Sequence, residues 1–417
     1  MSESRSLVKD GTVLFVSTLI VNAGNYAINL LLGRWLGPSD FSEVSLLVTL
    51  MLMISFLALG YQLTAAKFTA EYTADNRSDL LSTLVAWLKR MSWWVGLGLA
   101  GIVVGLSFFW QEFFQTTSYL PFIIFGVGLP FYLLMSVNRG VLQGLTRYRG
   151  LALTYQAEMW TRLIVTVLLV YLGFGVNGVA WGLTLSLVAT LLVAKIPFKP
   201  IEVTTFDHSP ILNFLAMVLL YECSQILINN SDVMIVKHYF PPFEAGLYAA
   251  LALIGRIVYF GTWTVVTLLF PMVIKLEKEG KDHSMYFLGG LIVVATIAAV
   301  IVGACYFFPE LMVGILFGDK YLSVAPLLWL YATATALFAC ANVFVYYHLS
   351  LDRRLPIWIT LLGGACQILF LTLFHDTFEQ VIWVQVYLMV GLFTSMVIYH
   401  FTYRWLPANI FSPKASV

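Results

Sequence analysis

Charge is what this sequence has least of: 11% of its 417 residues are Asp, Glu, Lys or Arg, while 60% are hydrophobic. That balance excludes the water-facing surface of an ordinary globular protein. Cysteine is scarce as well. Cys223, Cys305, Cys340 and Cys366 all fall in apolar runs, so there is neither a disulfide framework nor a metal-ligand spacing, and buried thiols are expected. No GxxxxGK phosphate loop occurs, which gives no sign of nucleotide hydrolysis. Long polar stretches between the apolar runs are also missing. A membrane glycosyltransferase or polysaccharide polymerase needs such a platform to hold donor and acceptor, so a non-enzyme is expected. The first apolar run ends at Gly33 and is followed by Arg34, not by a small-residue cleavage site, so it is expected to stay in the protein.

What is present is a series of hydrophobic runs, with a mean hydropathy of +0.86. At about 20 residues per crossing, the runs predict an all-α integral membrane protein. Its spans are expected near 11–33, 43–65, 91–110, 119–138, 150–171, 174–194, 210–231, 245–271, 286–307, 323–348, 355–374 and 379–403. With the N-terminus inside, the inner loops hold eighteen Lys and Arg and the outer loops only Arg34, Lys237 and Lys320; Arg162 and Arg256 remain within spans. This bias predicts a multi-pass protein of the cytoplasmic membrane with both termini cytoplasmic. The segment 67–90 is too polar to cross and is expected to include an interfacial helix.

The stretch 197–210, with Lys199, three Pro and two Thr, is the longest interruption in the middle of the chain. It predicts an N-terminal six-helix bundle over 1–196, a cytoplasmic linker over 197–209 and a C-terminal six-helix bundle over 210–417. An offset of 204 residues pairs Arg34 with His238, Trp35 with Tyr239, Pro38 with Pro242 and Asp40 with Glu244. Because six is even, both halves enter from the same side, and the repeat is expected to be a parallel one with a binding cavity between its halves. Two polar stripes follow the same offset approximately. Glu222, Gln225 and Asn229 stand at i, i+3 and i+7 of span seven, while Thr18, Asn22 and Asn25 occupy span one with one member slipped by a residue. Such stripes line a shared cavity or act as hydrogen-bonding glue between helices.

Chemistry is left to the ionisable groups at mid-membrane, each of which costs about 3 kcal/mol to insert unless it faces protein or water. Glu158 and Arg162 are spaced i, i+4 and can pair on one helix face. Arg256 has no such neighbour on its own span, so it needs Glu222, another polar group or a bound anion. Asp232, at the outer end of span seven, is expected either to be solvated or capping, or to serve gating or ion coupling.

Three stretches carry a family likeness: LLGRWLGPSDFSEVSLLVTL, INNSDVMIVKHYFPPFEAGLYAALALIGRI, and the run from Val137 to Gly182. With Leu36, Gly37 and Pro38 after span one, Arg139 and Gly140 after span four, and Gly246, Leu247 and Tyr248 opening span eight, the chain resembles the polysaccharide flippases of the multidrug, oligosaccharidyl-lipid and polysaccharide exporter superfamily. Ser42 and Val44 depart from the pattern that Gly246 and Tyr248 keep. The resemblance implies two six-helix bundles moving a lipid-linked oligosaccharide, or a related polysaccharide precursor, between leaflets by alternating access. A polyprenyl-diphosphate head needs basic groups; Arg162 and Arg256 are the candidates, since guanidinium stays charged when desolvated and binds phosphate bidentately. Asn22, Asn25, Gln225 and Asn229 would meet the sugars. Glu158, Glu222 and Asp232 are candidates for coupling to H+ or Na+, with no cofactor or bound metal expected. Expected partners are the lipid-linked sugar, membrane lipids and polysaccharide assembly proteins, not nucleic acid. Two other functions fit the same residues: a cation-coupled multidrug exporter of the superfamily, and a non-transporting membrane partner of a polysaccharide synthase.

Overall fold

The computed structural model describes residues 2–199, 207–351 and 353–403. Arg404 and Lys414, and most of the predicted linker, lie outside them. Among the described residues nine helices are long and apolar enough to cross a membrane. Three further crossings complete twelve. The first comes from α1 (Ser2–Ala74), of which Gly11–Ala74 alone is 64 residues, or about 96 Å at 1.5 Å per residue, roughly three bilayer cores. Gly37 breaks it, with φ 78° and ψ 174°, a conformation that favours glycine, and Pro38 cannot donate back into the preceding turn. The second is the bent pair α2 (Ser78–Gly105) and α3 (Ser107–Phe113), which meet at 60°. The third is α5 (Tyr148–Tyr171), whose hydropathy is lowered by Gln156, Glu158 and Arg162. The structure extends α1 to Ala74 and starts α2 at Ser78, so most of the segment predicted as interfacial continues two spanning helices.

Two compact units divide the chain between Glu222 and Cys223, within α7 (Ser209–Tyr239); the short piece Pro241–Phe243 belongs to the first. Unit 1 contains α1 to α3, α4 (Leu120–Gly144), α5, α6 (Gly175–Val193) and the start of α7. Its core gathers Tyr61 and Ala65 of α1, Leu84 and Leu88 of α2, Leu133 and Val141 of α4, and Ile211 and Leu215 of α7. Helices α1 and α4 approach so closely at Gly140 and Gly144 that a Cβ on either would strike the backbone carbonyl of Gln62 or Ala66. This is the small-residue spacing by which membrane helices pack without a hydrophobic driving force. At the far end, buried Glu43 of α1 accepts from the Thr117 N–H and hydroxyl, each at 2.6 Å, which ties down the connection from α3 to α4.

Unit 2 contains the rest of α7, α8 (Pro242–Gly255), α9 (Ile257–Lys278), α10 (Ser284–Phe307), α11 (Pro309–Leu316), a 3-10 turn (Asp319–Leu327), α12 (Leu328–Ser350), α13 (Leu355–Leu373) and α14 (Phe378–Thr402). Its axis is α12, which packs on α9, α10 and α14 and buries Tyr331, Phe338, Asn342 and His348. The order of elements repeats that of unit 1: a break next to Pro38 and again at Pro242, and a short helix after the third span at Ser107 and again at Pro309. The tripeptide Asp-His-Ser opens both α7 and α10. Asp207 and Asp282 accept from the Ser209 and Ser284 backbone N–H groups at 2.9 Å, and those bonds hold both carboxyls below the usual carboxylate range.

Candidate functional site

Among the described residues, each unit holds a buried ionic cluster. In unit 1, Glu158 of α5 is clamped by two guanidinium groups. Arg162, one turn along, reaches Oε1, and Arg139 of α4 reaches Oε2 at 2.7 Å. Arg139 also donates to the Thr154 hydroxyl at 2.9 Å and carbonyl at 3.1 Å, and it lies over the Tyr155 ring at 4.3 Å. Arg162 donates to Asn25 Oδ1 of α1 at 3.2 Å and touches Met51 Sδ at 3.6 Å, while its Nε–H is buried without a partner. Gln62 bridges Tyr155 and Gln143, both at 3.0 Å. Two cations thus share one carboxylate, with at most 14% of any of the three side chains exposed.

In unit 2 the count is one to one. Asp232 of α7 is 1% exposed; Arg256 donates to its Oδ1 at 2.8 Å, and the Tyr331 and Tyr248 hydroxyls donate to its Oδ2 at 2.7 and 3.0 Å. Gln385 of α14 donates to the Tyr248 oxygen at 2.7 Å, and Arg256 donates to the Tyr331 oxygen at 3.2 Å. Arg256 stands at the junction of α8 and α9, its N–H still bonded to the Ala252 carbonyl at 3.0 Å. The cluster opens on a cavity of about 20 Å³, room for one water, whose polar lining includes Asn229, Arg256, Thr335, Gln367 and Gln385.

The sequence-predicted residues distribute as follows. Asn25 joins the unit 1 cluster, while Asn22, a turn away on α1, is exposed. Asn229 lines the cavity and donates to the Gln225 carbonyl at 2.9 Å. Gln225 is 4% exposed, and neither atom of its amide has a hydrogen-bond partner. Glu222 is half-buried and, among the described residues, has no cationic partner. Of the alternatives open to Arg256, the structure shows another polar group, Asp232, which α7 brings to its level. Two expectations are corrected. Asp232 is correspondingly buried and not solvated. Arg139 and Lys237 are buried within α4 and α7 and not in loops, being 5% and 1% exposed; Arg139 turns inward because Glu158 lies within reach of it. Removing them leaves seventeen basic residues in the inner set and two, Arg34 and Lys320, in the outer, so the bias is unchanged. Sequence reasoning missed Tyr331 and Gln385 and singled out Tyr248 only as part of the family likeness. It had a signal for Asp232, which continues the stripe of Glu222, Gln225 and Asn229 at i+10.

No group of three His, Cys, Asp or Glu among the described residues is arranged to hold a metal ion. A family model described as "polysaccharide biosynthesis protein" matches residues 31–326. An uncharacterised membrane protein of Methanocaldococcus jannaschii is 23% identical over 339 residues, 73% of this chain and 76% of that protein. A second from the same organism is 22% identical over 66% of this chain, which spans 59% of its length. Among solved structures, an inward-facing multidrug resistance MATE family transporter of the MOP superfamily superposes with a TM-score of 0.72 at 15% identity, covering 91% of this chain and 93% of the other. The lipid II flippase MurJ, in an inward closed conformation, gives 0.72 at 13% identity, covering 95% and 88%. At such identities the likeness is one of fold.

Proposed function

This chain belongs to the polysaccharide biosynthesis protein family, and from that membership we propose that it is a membrane transporter translocating a lipid-linked oligosaccharide or polysaccharide precursor by alternating access. The observation that carries the reading is the stoichiometry around Glu158. Arg139 and Arg162 leave a net positive charge buried among spanning helices, and a desolvated charge of that kind calls for an anion. A diphosphate linking saccharide to polyprenol supplies one, with oxygens to take the unpartnered Arg162 Nε–H. Asn25, Gln62 and Tyr155 surround the same cluster and suit hydroxyl-bearing sugars. Arg256, neutralised by Asp232, takes part only when that pair opens. The family and the inner-loop excess of Lys and Arg support a cytoplasmic membrane location with both termini inside, and work beside polysaccharide assembly proteins.

A second reading, cation-coupled multidrug export, is favoured by Glu222, a half-buried carboxylate on a spanning helix with no cationic partner among the described residues. In either reading Glu222 is the proposed site for a coupling H+ or Na+.

The two separate in proteoliposomes loaded with a fluorescent polyprenyl-diphosphate saccharide or with a cationic dye. Wild type is expected to move the saccharide lipid and leave the dye. The variant Arg139→Gln/Arg162→Gln/Glu158→Gln removes every charge of the cluster at nearly constant volume, so it should fold and lose lipid translocation. Full lipid translocation by a folded triple variant would overturn the diphosphate site, and dye efflux without lipid movement would favour the exporter.

A further inference from the structure

The two guanidinium groups on Glu158 are held very differently. Arg139 gives Nε to the Thr154 hydroxyl at 2.9 Å, and Nη2 to both the Thr154 carbonyl at 3.1 Å and Glu158 Oε2 at 2.7 Å. Thr154 is fully buried and its own hydroxyl proton goes to the Leu151 carbonyl at 2.7 Å, so its oxygen is left to accept. The Tyr155 ring covers the same guanidinium at 4.3 Å, and its hydroxyl oxygen is fixed by Gln62 Nε2 of α1 at 3.0 Å. Thr154 and Tyr155 thus hold Arg139 on α5 independently of the carboxylate. Arg162 has no such seat. Besides Glu158 it meets Asn25 Oδ1 at 3.2 Å and Met51 Sδ at 3.6 Å, a thioether being a weak acceptor, and its Nε–H is buried without a partner. Arg139 and Glu158 by themselves form a neutral pair, as Arg256 and Asp232 do in unit 2. The uncompensated charge of the cluster therefore belongs to Arg162.

We propose that the two arginines have different tasks: Arg162 turns to bind the anionic group of the substrate, while Arg139 is a positioning residue that stays on Glu158 and holds it in place. Given the diphosphate reading of the cluster, on which this division rests, an arriving phosphate oxygen competes with acceptors already occupied. The guanidinium with the weaker acceptors yields first. Arg162 exchanges an amide oxygen, a sulfur and a shared carboxylate for phosphate oxygens, and its Nε–H gains the partner it lacks, in the bidentate pairing that a guanidinium fork makes with phosphate. The same exchange at Arg139 would break its bonds to Thr154 and uncover the Tyr155 ring. Removing both cations at once would strand a buried carboxylate, which is strongly unfavourable. With Oε2 still on Arg139, Glu158 keeps its counter-charge after Oε1 is released, and Arg162 is free to move without leaving an unpaired charge behind.

Two double variants of the full-length protein carry the same charge and differ only in which arginine they keep. Arg139→Gln/Glu158→Gln keeps Arg162, and Arg162→Gln/Glu158→Gln keeps Arg139. In proteoliposomes with the fluorescent polyprenyl-diphosphate saccharide, the half-saturating concentration should be about tenfold lower for the variant that keeps Arg162, the factor expected of one charge-assisted contact to phosphate. Equal values, or the reverse order, overturn the proposal. Where a double variant fails to fold, single lysine variants decide. Arg162→Lys keeps the charge and loses the fork, so it should raise the half-saturating concentration about tenfold, whereas Arg139→Lys, which loses Thr154 and Tyr155, should show chiefly in thermal unfolding and in the maximal rate. A rise in half-saturation no larger for Arg162→Lys than for Arg139→Lys overturns the proposal as well. Failure of the underlying reading looks different: transport by a folded variant lacking all three charges removes the diphosphate site and this division with it, while equal double variants beside an inactive triple variant remove the division alone.

Discussion

Tyr331 lies against Gly255 so closely that a Cβ on the glycine would fall on its ring, and that approach sets the Tyr331 hydroxyl 2.7 Å from Asp232. Gly255 also offers its carbonyl to the Thr335 hydroxyl of α12 at 2.9 Å. The backbone of α8 and the side chains of α12 are thus interlocked next to Arg256.

Gly255→Ala should therefore act on Asp232 at a distance. The methyl would push Tyr331 away, removing one of three donors to a carboxylate that is 1% exposed, and overpacking of this kind costs about 1–3 kcal/mol. Thermal unfolding should show the loss. Adding Tyr331→Leu, which clears the ring, should recover the packing share but not the hydrogen bond; full recovery would mean that Tyr331 contributes shape alone.

How much of this could be read from the sequence divides along physical lines. Hydropathy gave the spans because lipid demands some 20 apolar residues per crossing, and Gly37 with Pro38 announced a break in α1 that the structure contains. Glu158 and Arg162 were visible as an i, i+4 pair because their proximity follows from helix geometry alone. Arg139 was not. In a hydropathy profile the polar run around it marks a loop, whereas α4 continues to Gly144 and turns Arg139 toward a carboxylate nineteen residues on. Asp232 and Arg256 are separated by a helix break, so their pairing depends on how the outer part of α7 packs within unit 2. Periodicity carries no information about such a register between helices.

The topology itself is open to a chemical test. Single cysteines at Ser39 and Asp319, both exposed, should react with an impermeant maleimide from outside intact cells. Those at Asp79 and Ser284, also exposed, should react only after permeabilisation. Labelling of position 284 from outside would invert unit 2 and with it the assignment of inner and outer loops.

The Asp232–Arg256 pair distinguishes an internal lock from a permanent anion site. Arg256→Gln alone leaves Asp232 buried with two phenols and no counter-charge, and breaking a buried pair by removing one partner costs about 3–5 kcal/mol. Asp232→Asn alone leaves the guanidinium, 11% exposed, without its carboxylate, at a similar cost. The double variant Asp232→Asn/Arg256→Gln removes both charges and keeps amide groups for Tyr248 and Tyr331, so its stability in detergent should return to within about 1 kcal/mol of wild type. If Arg256 serves only to neutralise Asp232, translocation should return with stability. If the guanidinium must be released to meet the anionic substrate, the double variant should be stable and slow, with the saccharide lipid bound more weakly than by wild type. A stable double variant that transports at the wild-type rate would remove Arg256 from the substrate path and leave the Arg139–Glu158–Arg162 cluster as the sole candidate for the diphosphate.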